Sequence, residues 1–333
     1  MTSNAMTRLP PVAACELTYR CNHRCIFCSC PWESDAIAKG HEMTTDEWRQ
    51  TFRIIHAHGT HIASFSGGEP TVRPNLLDII DAASAEGMGT CLVSNGRAMD
   101  AALMQALHDR GTRLSISVPG IEEFERQTGY DGVGHVLSLF RTARKIGMPV
   151  TANIAVTKIN LPELYDTIAY SVINGATYVL VNRFLPGGRG LDNTQFLLNV
   201  DETNEMLRIA DEVLTKAGIR GHVGTEMPYC AIKSPESLVS LTVGCRCGAG
   251  KSFYAIDPSG YVRTCNHSEH RICHVTAIDG LADDEYWQRF ANRDYMPDMC
   301  DGCEHIDICD GGCREAAHIY SGSLTSPDPC FCT

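Results

Sequence analysis

The stretch "AACELTYRCNHRCIFC", residues 13 to 28, joins an apolar, β-rich run to three cysteines at tight, uneven spacing. Cys21, Cys25 and Cys28 stand as C-x3-C-x2-C, and Cys30 follows two residues later. A buried thiol needs no spacing rule, whereas a ligand set does. Three thiolates from one short loop can face a single iron–sulfur cluster and leave its fourth iron without a protein ligand. The competing reading is zinc, with Cys30 or His23 as a fourth ligand. Structural zinc sites more often show paired C-x2-C spacing.

Outward from that loop the chain repeats one unit. Apolar runs begin at Ala13, His61, Gly89, Arg113, Pro149 and Tyr178, each bounded by turn residues or charges as buried parallel strands are. Helical patterns lie between them. "TTDEWRQTFRIIHAHG" opens on a Thr cap with an acidic first turn and closes on Gly59. Alternating strand and helix predicts an α/β fold with a parallel sheet and right-handed crossovers. Six units predict a partial (β/α)6 TIM-like barrel over residues 13–220, with its chemistry at the carboxyl ends of the strands. After "PGGRG" at 186–190 the periodicity changes. One helix is expected near 201–217, and residues 221–333 read as a small cysteine-rich domain with a thin core that needs metal to stay folded. Residues 1–12 form an N-terminal extension. Met6 offers a second start, and residues 1–5 read as a cloning scar.

The totals narrow the function. The chain has 333 residues, 44% of them hydrophobic, and a net charge of -12. With no basic run, nucleic acid and anionic membranes are poor partners. No apolar stretch is long enough to span a bilayer, and the start lacks a signal peptide's apolar core. Seventeen cysteines clustered at short spacing in a large chain without an export signal favour metal over disulfides. A cytoplasmic location follows as an expectation.

Two further segments fall at successive strand ends. "SFSGGEP" at 64–70 supplies Gly67, Gly68, Glu69 and Pro70, where glycines admit close backbone approach and a carboxylate or carbonyl can accept from an ammonium group. "SNG" supplies Ser94 and Asn95, which could bond a ribose. With Cys21, Cys25 and Cys28 ahead of them, these motifs resemble the radical S-adenosylmethionine (SAM) superfamily over roughly residues 13–200. The resemblance implies a 4Fe–4S cluster on the three cysteines and SAM chelated to its open iron. One electron then cleaves SAM to methionine and a 5′-deoxyadenosyl radical, which abstracts a substrate hydrogen. By position, Gly67–Glu69 would meet the methionine ammonium, and Ser117 and Arg126 would hold its carboxylate. Relatives often read Ser-x-Asp-Gly where this chain has Ser117-Val118-Pro119-Gly120, so any role of that Asp is lost.

The second half is similar to the SPASM extension of this superfamily. Cys247 and Cys265 flank Gly260 as C-x12-G-x4-C, and Cys300, Cys303, Cys309 and Cys313 follow as C-x2-C-x5-C-x3-C before Cys330. The resemblance implies two auxiliary Fe–S clusters of the 4Fe–4S type. Cys245, Cys247, Cys265 and Cys313 would hold the first, and Cys300, Cys303, Cys309 and Cys330 the second. Cys230 rivals Cys245, and Cys332 rivals Cys330. Of the remaining cysteines, Cys15 and Cys91 read as core residues, and Cys30 and Cys273 have no assigned role. His56, His58 and His61 read as solvated or dipole-facing, and His267 as a hydrogen-bonding neighbour of Cys265.

Members of this group most often modify ribosomally made peptides by cross-linking, thioether formation, epimerisation or oxidation, and that is the expected function. The alternative is radical oxidation of a small-molecule alcohol or aminosugar. The first strand begins early, which leaves out the leader-binding domain of many peptide maturases; a precursor peptide would then need a separate leader-binding protein or direct binding in the barrel. Asn266 replaces the Asp that follows the corresponding cysteine in sulfatase maturases. "ELTYRC" is similar to the family that joins Glu and Tyr in pyrroloquinoline quinone biosynthesis, which supports a shared subgroup. Flavodoxin or ferredoxin is the expected electron donor. No catalytic residue is assigned.

Overall fold

The computed structural model describes residues 8–30 and 40–332; the expected scar at 1–5 and the second start at Met6 lie outside the described residues. Strands β1 (Val12–Thr18), β2 (Ile62–Gly67), β3 (Gly89–Ser94), β4 (Arg113–Ser117), β5 (Val150–Val156) and β6 (Tyr178–Arg183) pair in chain order, all parallel. Each coincides with one of the six apolar runs. Six of the seven residues of β1 are buried, as expected for a strand covered on both faces.

Local chemistry explains the crossovers. Helix α1 (Thr45–Ala57) starts on a capping box: Thr44 Oγ1 accepts from Glu47 N at 3.3 Å, and Glu47 Oε2 accepts from Thr44 N at 2.7 Å. Its buried Trp48, Phe52 and Ile55 lie on one face, and the Phe52 ring meets Phe65 of β2 at 6.2 Å. Each such side chain contributes about 1.5–3 kcal/mol by burial. Helices α2 (Leu76–Ala85), α3 (Ala101–Asp109), α4 (Phe124–Thr128), α5 (Val133–Ile146), α6 (Leu164–Asn174) and α7 (Val200–Ala217) follow. The six runs gave no notice of α3. It is nine residues long, and its signals are an Asp100 cap that accepts from Leu103 N at 2.8 Å and a pair of buried apolar residues, Met104 and Leu107.

The sheet does not stop at β6. Short parallel strands β7 (Gly221–Val223) and β8 (Leu241–Val243) extend one edge. At the other edge β9 (Phe253–Ile256) pairs parallel with β1, and β10 (Val262–Arg263) pairs antiparallel with β9. The cysteine-rich half thus grips the barrel sheet from both sides. The remaining helices, α8 (Glu285–Asn292) and α9 (Arg314–Ser321), are short. The core private to this half is small, built on Cys247, Ala249, Cys265, Phe290, Tyr295 and Leu324. Among the described residues no helix is long and apolar enough to cross a membrane.

Candidate active site

Strand register sets the site. β1 and β2 run in step until a bulge after Glu16 brings Thr18 opposite Gly67, so the cysteine loop and the Gly-Gly-Glu segment leave the sheet side by side. Gly68 N donates to Thr18 O at 2.7 Å and Glu69 N to Arg20 O at 2.9 Å. A Cβ on Gly68 would stand 2.3 Å from Arg20 O. Gly67 has φ +115°, and a Cβ there would stand 2.4 Å from Thr18 O. The glycines were expected to admit a ligand; what they admit first is the backbone that leads into Cys21.

The cysteine loop is held by two further segments, 127–128 and 189–193. Arg24 N donates to Thr128 O at 2.8 Å and Ile26 N to Gln127 O at 2.9 Å. Arg189 Nη1 donates to Cys25 O at 2.9 Å, Gly190 N to Cys28 O at 3.0 Å, and Asn193 Nδ2 to Ile26 O at 3.1 Å. The "PGGRG" segment, which in sequence only marks the end of the repeat, is therefore a clamp on the loop.

Cys21, Cys25 and Cys28 wall a cavity of about 200 Å³ together with Gly67, Gly68, Glu69, Ser94, Asn95 and Ser117. The strand-end residues singled out from sequence meet here, with two departures. Pro70 is buried at the start of a 3-10 turn behind the cavity. Arg126 turns away to Glu123, with Nη1 3.3 Å from Oε2, and its guanidinium lies 6.0 Å from the Phe196 ring. The Arg126 side chain is 59% exposed, and solvent-screened pairs of this kind contribute about 0–1 kcal/mol. Arg126→Ala is therefore expected to change unfolding free energy by less than ~1 kcal/mol and to leave SAM affinity unaltered, measured by urea titration and equilibrium dialysis.

Glu69 is fully engaged as a strut. Oε1 accepts from Thr71 N at 3.1 Å, Thr71 Oγ1 at 2.6 Å and Ser94 Oγ at 2.8 Å, and Oε2 accepts from Asn95 N at 2.7 Å. It ties the end of β2 to the end of β3. Asn95 Nδ2 donates to Asn22 Oδ1 at 2.8 Å and reaches Cys21 Sγ at 3.7 Å. Ser94 and Asn95, expected at a ribose, thus brace the carboxylate and the cysteine loop.

The cavity also holds unspent polar atoms. Ser66 Oγ and His23 Nε2, both on its wall, are buried without a hydrogen-bond partner. Burial, with Arg97 adding to it, lowers the His23 pKa to about 4, so the ring is neutral. A bound ligand with polar groups would satisfy both atoms. Burial pushes the Cys21, Cys25 and Cys28 thiols up, and Cys28 and Cys21 raise Cys25 further. Alone they stay protonated; a metal makes them thiolates. Among the described residues no three His, Cys, Asp or Glu side chains converge at single-ion spacing.

The C-terminal cysteines fall into two groups. Cys230, Cys300, Cys303 and Cys309 line one small cavity with Tyr229 and His305. Cys247, Cys265 and Cys313 are buried elsewhere, with Cys313 and Cys247 acting electrostatically on Cys265. Cys245, expected with Cys247, has its thiol pKa raised to about 11 by burial and then by the neighbouring Cys309 and Cys230, and a bend at Arg246 separates it from Cys247. Cys330 is buried and Cys332 exposed. His267 Nε2 donates to Pro186 O at 2.6 Å, tying the Cys265 turn to the clamp. His58 Nδ1 donates to Ile54 O at 2.8 Å, a structural role for that group of histidines.

A buried ion pair, missed in the sequence, joins the cysteine-rich half to the barrel. Arg183, the last residue of β6, donates through Nη1 and Nη2 to Asp328 Oδ1 and Oδ2, both at 2.7 Å. Asp328 also accepts from Cys313 N at 2.9 Å and Cys330 N at 3.0 Å. Nothing in the local pattern around Asp328 announces this.

Comparison with known proteins agrees with the geometry. Residues 15–170 match the family described as Radical SAM superfamily. PqqA peptide cyclase of Bradyrhizobium diazoefficiens is 29% identical over 339 residues, covering 96% of this chain and 86% of its own. That of Rhodopseudomonas palustris is 28% identical over 338 residues, with 96% and 86% covered. Streptococcus suis SuiB, solved with its precursor peptide SuiA, superposes with a TM-score of 0.74 at 14% identity, covering 97% of this chain and 76% of that one. The structure of anSMEcpe with AdoMet and the Cp18Cys peptide gives 0.74 at 14%, covering 97% and 94%. Residues 15–170 are a radical SAM domain.

Proposed function

We propose that this enzyme modifies a peptide substrate by SAM-dependent radical chemistry. The observation that carries the reading is the match to PqqA peptide cyclase along 96% of the chain, across both the barrel and the cysteine-rich half. The folds of SuiB and anSMEcpe, both solved with peptides, support the same class. Cys21, Cys25 and Cys28 would hold a 4Fe–4S cluster, which would supply the electron for reductive SAM cleavage and so for hydrogen abstraction from the substrate.

The protein's own part is binding, positioning and exclusion of water. The Gly-Gly-Glu segment sets the cysteine loop, Glu69 fixes the β2 and β3 ends, and the 187–190 clamp covers the loop backbone. His23 Nε2 and Ser66 Oγ present free hydrogen-bonding positions to what enters the cavity. The two further cysteine groups would hold auxiliary clusters that take up or pass on an electron from the substrate. Flavodoxin or ferredoxin would feed the site.

The test is an anaerobic incubation of the reconstituted enzyme with SAM, dithionite and short peptides encoded beside its gene. One peptide is expected to change in mass or retention time in a SAM-dependent way, with equimolar 5′-deoxyadenosine. If only small alcohols or aminosugars are oxidised, the peptide reading is wrong.

A further inference from the structure

A short segment, residues 309–313, runs from Cys309 on the wall of the small cavity to Cys313 of the other cysteine group. Asp310, the second residue of that segment, is fully buried. Its N–H donates to Cys245 O at 2.9 Å. Its Oδ2 accepts from Cys247 N at 2.9 Å and from the Tyr295 hydroxyl at 3.0 Å. Asp310 thus follows a thiol of one group and holds the backbone of a thiol of the other.

Arg293 grips Asp310 from the opposite side. Nε donates to Asp310 Oδ1 at 2.7 Å, and Nη2 donates to Ile306 O at 2.7 Å and Cys309 O at 3.0 Å. The guanidinium therefore fixes both the carboxylate and the loop that brings Cys309 to its cavity. Its backbone is unusual. Arg293 caps the end of α8 with φ 64° and ψ 31°, a left-handed conformation that favours glycine and costs free energy for a residue with a Cβ. Elsewhere among the described residues, the helix ends in this conformation, after α4, α5, α7 and α9, carry Gly129, Gly147, Gly218 and Gly322. The arginine stands against that preference at the one such end where a guanidinium can reach Asp310 and the Cys309 loop.

We propose that Arg293 and Asp310 are positioning residues that fix the two auxiliary sites relative to each other. Asp310 sets the Cys247 turn of the first, and Arg293 sets the Cys309 loop of the second and locks Asp310 between them. The inference rests on the reading that the cysteine-rich half carries auxiliary clusters.

The test uses the full chain with Cys21, Cys25 and Cys28 replaced by Ala, reconstituted anaerobically, so that only auxiliary iron is counted. Cys265→Ala and Cys300→Ala assign the two electron paramagnetic resonance signals, each with about four irons per chain. Arg293→Gly relieves the backbone and removes the guanidinium at once. A residue that served the helix end alone would give a variant with a melting temperature no lower than the parent's and both signals unchanged. The expected result is a lower melting temperature, with both signals shifted in g value and in reduction potential. Asp310→Asn is expected to move both signals as well. Arg293→Lys keeps a charge for Asp310 but loses the fork to the two carbonyls, so it is expected to move the second signal more than the first, and it carries the test if Arg293→Gly does not fold. The proposal is overturned if a folded Arg293→Gly or Asp310→Asn leaves either signal as in the parent, or if Arg293→Lys leaves the second signal unmoved. If neither Cys265→Ala nor Cys300→Ala removes iron, the auxiliary-cluster reading itself fails, and this inference with it.

Discussion

Gly68→Ala is expected to empty the Cys21, Cys25 and Cys28 site while leaving the other cysteine groups loaded. The added Cβ would lie 2.3 Å from Arg20 O and 2.8 Å from both Arg20 C and Tyr19 O. These are backbone atoms, so no rotamer change relieves the overlap. The loop must move away from β2, which breaks the bonds from Gly68 N to Thr18 O and from Glu69 N to Arg20 O. Overpacking costs about 1–3 kcal/mol and each lost hydrogen bond about 1 kcal/mol, giving roughly 3–5 kcal/mol at the one place where the thiols are set. Iron per chain after reconstitution should fall by about four, with loss of SAM cleavage. Full iron in this variant would show that the glycine is not needed for the loop's position.

Arg183→Leu is the second large effect. Arg183 and Asp328 are both buried, and removing the guanidinium leaves a carboxylate with only backbone donors. Breaking one side of such a pair costs about 3–5 kcal/mol. The damage should spread, because Asp328 also positions Cys313 N and Cys330 N in the cysteine-rich half. Urea unfolding should show the loss. Asp328→Asn added to Arg183→Leu should restore part of it, since the uncompensated charge is gone while the amide oxygen still accepts. A double variant no better than the single one would mean that the pair's attraction is not what matters.

The barrel was legible because each of its six strands is an apolar-rich stretch of five to seven residues bounded by turn signals. β7 to β10 were not, since runs of two to four residues carry no period. The site was legible in its residue set and less so in its roles. Spacing revealed Cys21, Cys25 and Cys28, and position on strand ends revealed Glu69, Ser94 and Asn95. That Glu69 spends its oxygens on Thr71, Ser94 and Asn95 is a three-dimensional fact with no trace in a linear motif. Arg126 shows the converse: a residue type suited to a carboxylate whose backbone directs it to Glu123.

The most direct measurement of the central claim is iron and 5′-deoxyadenosine per chain after anaerobic reconstitution, for the native chain and for Cys21→Ala/Cys25→Ala/Cys28→Ala, with SAM and dithionite. About twelve irons with SAM cleavage are expected in the first, and about eight with none in the second. Zinc in place of iron, with no SAM cleavage by the native chain, would contradict the radical enzyme outright.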